Sequence, residues 1–429
     1  MTNDGGVNFR SYEVYQRERV GETTNLANPR DLISDAYLVD PFTVPGVLRD
    51  EYPCYRDWVG NRFWLTGYDD VTSVFADDAS FETRPKTAAY GGLVKGQDLG
   101  QEPTVAAALT EQCDAQVEVV VASLLDNMAL GDGAGNQVAD LAGGFADSVS
   151  RGCFAAAVAG TSGGLNQAVE LLELADIVRT GTGWNERDRI AGQQALDALV
   201  ERLGPMLKSQ STTSHGDVLS ALANLGASAA DAAITLVELD RATLPASLAN
   251  LWCLLLTNPA QFAKLQAEVR LMKFAYLEAL RHSPPIISAD RFARHEVERF
   301  GRLLPQGALL HLSAAAANRD PRQFVDPDAF SVTRKDLCRR EPRGQYRADG
   351  LPAPIAFGHG KPSRLPAVPR QAARSRFALT RDIAVRASLA LLERFPTIHL
   401  APSHTPTMQL DRLGGTYRCR DLIVDLDSS

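Results

Sequence analysis

Leu277–Glu278–Ala279–Leu280–Arg281–His282–Ser283–Pro284–Pro285 divides the chain into two textures. Glu278 and Arg281 stand three residues apart, a spacing that puts both side chains on one helix face, where they can pair. Pro284–Pro285 ends the helix, because proline cannot continue it and restricts the residue before it. Upstream, Ala- and Leu-rich spacing predicts helices over 110–127, 138–157, 165–179, 185–209, 215–223, 228–256 and 260–281. The 228–256 run is apolar on nearly every face, the pattern of a long central buried helix. Downstream, strand-like pieces at 286–288, 291–293 and 308–313 precede the turn Asn318–Arg319–Asp320–Pro321, a charged loop over 334–353 and a helix over 372–394. The expected fold is therefore mainly α with a minor β component. One large domain spans 36–429, after a polar segment at 1–35. Its α-rich core covers 105–281 and 372–394, with β pieces near 60–66, 286–313 and 405–428.

Composition narrows the function. The 429 residues are 45% hydrophobic and 22% charged, as in an ordinary globular protein. Net charge is 44 minus 52, or −8, which argues against a general nucleic-acid or anionic-membrane binder. No apolar run reaches the ~18–20 residues of a membrane helix, and the opening Met-Thr-Asn-Asp-Gly-Gly has no signal-like texture. Cys54, Cys113, Cys153, Cys253, Cys338 and Cys419 are scattered, without a CxxC or a Cys/His cluster. That usage fits a cytoplasmic protein with reduced thiols and no metal site.

Three further segments follow the opening one in order: Ala317–Asn318–Arg319–Asp320–Pro321, Phe324–Val325–Asp326–Pro327–Asp328–Ala329–Phe330 and Ala356–Phe357–Gly358–His359–Gly360. Together the four resemble the ExxR helix, the ANRDP turn, the DPDxF segment and the start of the haem loop of the cytochrome P450 superfamily, bacterial soluble type. The resemblance runs over roughly 40–428 and is weakest at 80–115. It implies a P450-like fold, with Glu278 and Arg281 as a structural pair and with Ala242, Ile286, Ile287 and Arg291 lining the pocket. It also implies Arg291 as a haem-propionate partner.

The sequence departs from the family where haem chemistry is done. In the loop Phe357–Gly358–His359–Gly360–Lys361–Pro362–Ser363–Arg364–Leu365–Pro366, the family's ligand cysteine is Arg364. A guanidinium stays protonated, has no acceptor and cannot ligate iron. In the central helix the oxygen-activating signature reads Leu239–Asp240–Arg241–Ala242–Thr243, keeping the threonine but not the acid or the glycine. Ala329 stands where the arginine completing the Glu-Arg-Arg network is expected, and no HxxxR occurs over 90–115. These losses lead to an expectation of no cofactor. Asp240, Arg241 and Arg364 would then fill the haem space, and Lys361, Arg364, Arg370, Arg374 and Arg376 form a basic run.

The leading expectation is a helper subunit of bacterial natural-product metabolism that stabilises a partner such as a glycosyltransferase. A second is a cofactor-independent enzyme cyclising, isomerising or eliminating a natural-product intermediate, with Asp240, Arg241, Thr243 and Arg364 as acid–base or oxyanion groups. A third is an oxygenase with an unusual haem ligand.

Overall fold

The computed structural model describes residues 35–52, 54–57, 60–83, 96–100, 102–130, 137–159, 164–181, 186–210, 216–337, 355, 376–411 and 416–427. The first elements are α1 (Asp35–Val39), α2 (Thr43–Glu51), β1 (Cys54–Asp57), β2 (Arg62–Leu65), α3 (Tyr68–Phe75) and β3 (Phe81–Glu82). Helices follow: α4 (Pro103–Leu130), then β4 (Gln137–Asp140), α5 (Asp147–Ala159), α6 (Leu165–Thr180), α7 (Glu186–Gln210), α8 (Val218–Asn224), α9 (Ala229–Glu238), α10 (Thr243–Thr257), α11 (Pro259–Ala267) and α12 (Met272–His282). The chain ends with β5 (Ser288–Ala293), β6 (Val297–Arg299), β7 (Arg302–Leu304), β8 (Leu309–Ser313), α13 (Ala314–Ala317), α14 (Arg376–Arg394), β9 (Thr397–Leu400), β10 (Met408–Leu410), β11 (Tyr417–Cys419) and β12 (Ile423–Asp427). The expected helical fold with a small sheet component is what forms. Contacts divide it into two compact units.

The first unit holds the described residues of 1–84, 286–329 and 355. Its sheet runs β1-β2-β8-β5-β3. β2 is parallel to β8, and the other pairs are antiparallel. The β6–β7 hairpin turns through Phe300 and Gly301, both at positive φ (58° and 69°), the twist-matched hairpin turn that glycine adopts without strain. The Asn318–Pro321 turn is buried and bonded. Asn318 Nδ2 donates to the Ile355 carbonyl (3.0 Å), its Oδ1 accepts the Ile355 N–H (2.7 Å), and Asp320 Oδ2 accepts the Tyr68 N–H (3.0 Å).

The second unit holds the described residues of 85–285, 330–354 and 364–429. Helices α4, α5, α6, α7, α10, α12 and α14 pack side by side, with the sheet β4-β12-β9 and the hairpin β10–β11 against them. All of α10 from Thr243 to Leu256 is buried, which is why its sequence is apolar all round. α6 and α7 approach at Gly181, where an added Cβ would lie 2.6 Å from the Gly192 Cα. Gly181→Ala is accordingly expected to cost about 1–3 kcal/mol through overpacking, read as a lowered thermal midpoint.

Three expected helices differ. The expected single helix over 260–281 is two, α11 and α12, parted at 268–271. The 138–157 run opens as strand β4, paired with β12, before a wide turn over Leu141–Ala146 leads into α5. The expected single helix over 228–256 is two, α9 and α10, broken at 239–242. Pro245 is the cause. It has no N–H for the carbonyl four residues back and its ring would clash there, so it is best placed in a helix's first turn. That carbonyl belongs to Arg241 and accepts the Ser150 hydroxyl instead (3.2 Å).

Candidate functional site

The break in the central helix carries three of the expected site residues. Asp240 Oδ2 accepts the Thr243 hydroxyl (2.5 Å) and Oδ1 accepts the Thr243 N–H (3.2 Å), a local side-chain cap that competes with helix continuation. Arg241 turns away to the last turns of α6, where its two terminal nitrogens donate to both Asp176 oxygens at 2.9 Å. Arg179 shares Asp176 at 2.7 Å. Burial pulls the Arg241 guanidinium down and Asp176 opposes it, so the pair keeps a nearly buried charge compensated. Ala242 is half-buried at the start of α10, and Thr243 is buried. The helix is therefore interrupted here, with Asp240 held by Thr243 and Arg241 by Asp176.

The ExxR helix is held more firmly than its sequence indicated. Glu278 and Arg281 are wholly buried in α12 and joined by two bonds, at 2.7 Å and 2.8 Å. Arg334 completes the network by donating its Nε to Glu278 Oε1 (2.9 Å), and the Ser331 N–H donates to the same oxygen (3.1 Å). The expected loss at Ala329 is thus corrected: the second arginine comes from Arg334, at the end of Ser331–Val332–Thr333–Arg334. Asn250 is a further polar centre missed in the sequence. Buried in α10, it donates to the Ser283 and Tyr417 carbonyls (3.0 Å each) and accepts the Cys419 N–H (2.8 Å). A lone asparagine inside Leu248–Ala249–Asn250–Leu251–Trp252 was the available signal, since a buried amide must find partners.

In the sheet unit, Ile287 is buried and Ile286 half-buried just before β5. Arg291, on β5, is 6% exposed. Its guanidinium lies 4.7 Å over the Phe75 ring and donates to the Asp290 carbonyl (2.9 Å). No carboxylate lies in ion-pair reach of it among the described residues, and burial draws its pKa down to about 10. Phe357, Gly358, His359, Gly360 and Arg364 lie outside the described residues, as does most of the basic run from Lys361. Among the described residues no cluster of three metal-ligating side chains occurs, and no helix is long and apolar enough to cross a membrane.

Next to Arg291, His311 on β8 faces Asp290 on β5 (Nδ1 to Oδ1, 2.7 Å) and stacks at 4.2 Å on Trp64 of β2. Arg62 of β2 and Asp57 of β1 extend the row. Burial lowers the His311 pKa against the pull of Asp290. For Asp290, burial is outweighed by the His311 bond and by nearby cations, so its pKa also falls. An unfolded histidine takes up its proton near pH 6.5, before the buried one does. Stability should hence fall as pH drops below about 6.5, and fall again below about 3.8 as carboxylates such as Asp290 and Asp320 protonate. Urea midpoints measured from pH 8 to 2.5 should decline accordingly, and His311→Asn should flatten the upper part of that decline.

No family model matches the chain. It is similar to the protein AknT of Streptomyces galilaeus, 32% identical over 176 residues, covering 38% of each chain. It is also similar to cytochrome P450 107B1 of Saccharopolyspora erythraea, 32% identical over 223 residues, or 50% of this chain and 49% of that one. The chain thus matches less than half the length of these curated relatives. Among solved structures, HmtT, described as involved in himastatin biosynthesis, superposes with TM-score 0.65 at 20% identity over 87% of this chain and 94% of its own. The fold is that of a cytochrome P450. The named relatives strongly support the P450 superfamily as a whole.

They also overturn one expectation. Relatives and structural neighbours are haem-binding cytochromes P450, and they point to a haem here where none was expected. The described residues fit such a group at one point. Among the described residues Arg291 is a buried cation with no carboxylate in ion-pair reach, suited to a haem propionate. When bound, haem supplies one-electron and oxygen chemistry.

Proposed function

We propose that this P450-fold chain is a tailoring component of natural-product biosynthesis and acts as a helper subunit, holding a partner tailoring enzyme in its active state. The placement of the cysteines carries this reading. Cys54, Cys113, Cys153, Cys253 and Cys419 are all buried. Cys113 donates to the Cys153 carbonyl and Cys419 to the Asp421 carbonyl. Burial pushes the Cys113 thiol well up and the Cys153 thiol to about 12. The sixth, Cys338, precedes the loop by some twenty residues, and no cysteine occurs between it and Cys419. Oxygen cleavage of the P450 kind depends on a thiolate donor to iron, and a buried thiol of raised pKa is a poor thiolate.

Among the described residues, the groups that could run acid–base chemistry are occupied as well, Asp240 with Thr243 and Arg241 with Asp176. Meanwhile the buried frame around Glu278 and Asn250 is complete. A chain that keeps its frame and lacks the reactive donor suits a role exercised by contact, where binding the native partner stabilises it by mass action. Similarity to HmtT supports the natural-product setting, and a glycosyltransferase is the kind of partner we propose. Co-expression tests this. The partner's soluble yield and turnover should both rise with the chain present, and unchanged values for the enzymes of its pathway would end the reading.

A second reading, a haem oxygenase whose iron ligand is not thiolate, is favoured by Arg291 and by the P450 relatives. The reduced, carbon-monoxide-bound spectrum separates the two. Stoichiometric haem with substrate turnover and no effect on any partner would favour the oxygenase.

A further inference from the structure

Two of the buried cysteines meet. Cys253 lies on α10 and Cys419 on β11, and these two elements pack together. Asn250, one helical turn before Cys253 on the same face, sets the register, since its amide bridges the Tyr417 carbonyl (3.0 Å) and the Cys419 N–H (2.8 Å). The Cys253 thiol then stands within hydrogen-bonding reach of the Cys419 thiol. That contact first, and burial second, hold the Cys419 thiol far above the usual thiol range. Both side chains are enclosed, Cys253 at 4% exposure and Cys419 at 0%. The other described cysteines are arranged differently. Cys113 of α4 aims its sulfur at the backbone carbonyl of Cys153 on α5 (3.5 Å), between two long packed helices, and Cys54 belongs to the sheet unit.

The strand is the side of this pair that can lift. β11 belongs to a two-stranded hairpin with β10, a unit of marginal stability by itself. The Asn250 amide, the Tyr417 N–H on the Pro285 carbonyl (2.8 Å) and Arg418 on Asp147 (2.9 Å) hold it down.

We propose that Cys253 and Cys419 are a redox latch, two thiols that close to a disulfide and pin the hairpin β10–β11 to α10. Hydrogen peroxide is the oxidant. Cys253, the less enclosed of the two, loses its proton, and its sulfur takes one oxygen from peroxide, giving a sulfenic acid and one water. The Cys419 sulfur then attacks the Cys253 sulfur, and the sulfenic hydroxyl leaves with the Cys419 proton as a second water. The two thiols lose two electrons together, and one peroxide is reduced to two waters. Enclosure keeps both thiols slow to react in the closed fold, so the step follows local opening of the hairpin. The bond closes a long loop, and such a cross-link removes much of the freedom of the unfolded chain.

The test treats the full chain with hydrogen peroxide, caps remaining thiols with an alkylating agent and digests without reductant. One linked species should appear, joining the Cys253 and Cys419 peptides at a mass two hydrogens below their sum. The thermal midpoint should rise by about 5 °C and return on adding dithiothreitol. Cys253→Ala and Cys419→Ala should each lose both the link and the rise, whereas Cys113→Ala should keep both. Each variant is compared with itself, treated against untreated, so a lower starting stability does not blur the outcome. Low urea, below the unfolding transition, should speed the link about tenfold by raising the opened fraction. No link in either condition, a link through any other cysteine that forms as fast, or a sulfinic acid in place of the link overturns the proposal. So does a link that leaves the midpoint unchanged, since the hairpin would then not be what it pins. A rate indifferent to urea would overturn the gating by the hairpin.

Discussion

Glu278→Ala is expected to remove about 3–5 kcal/mol of stability, because it takes the Glu278 carboxylate from buried Arg281 and leaves Arg334 only its longer pair with Asp336 (3.4 Å). A domain of ordinary stability has about 5–15 kcal/mol to lose. The variant should therefore express poorly, or unfold at a much lower urea midpoint. The Ser331 N–H loses its acceptor at the same time, which loosens the segment that brings Arg334 in. Removing charge from all three sites together, as in Glu278→Met with Arg281→Leu and Arg334→Met, should cost less than the single change, since no bare charge is left behind. Equal loss in the single and triple variants would show that packing, and not charge pairing, sets the stability of this region.

Asn250→Ala should be the next most damaging substitution. It leaves the Ser283 and Tyr417 carbonyls and the Cys419 N–H buried without the side chain that serves them. At about 1–3 kcal/mol for each stranded group, a loss of about 3 kcal/mol or more is expected. Hydrogen exchange should localise the effect: the amide of Cys419 should lose protection before those of α4 or α5. An unchanged denaturation midpoint would mean that water replaces the amide. Any helper effect on a partner enzyme should fall with the folded fraction in both variants, and not independently of it.

Much of the fold was legible in residue order alone. Helices such as α6 and α7 end within a residue or so of their expected bounds, because apolar spacing and turn residues are local signals. The paired strands β1 and β4 were not legible. They are four residues each and become strands only because β2 and β12 lie alongside them. The break at 239–242 was signalled by Pro245 but overridden by the apolar run around it. Where that run is buried on all faces, periodicity carries no information about continuity.

Residue order by itself determined the side chains available: the helix carrying Glu278 and Arg281, the Asn318–Pro321 turn, and a Phe357–Pro366 stretch that contains Arg364 and no cysteine. Those are properties of side chains and short spacings, which no packing alters. Only tertiary structure decided which groups meet: Arg334 with Glu278, Arg241 with Asp176, Asn250 with β11, and His311 with Asp290. The physical reason is burial. A charged or amide group taken out of water must be paired, and its partner comes from whichever segment the packing brings within reach, however distant in sequence.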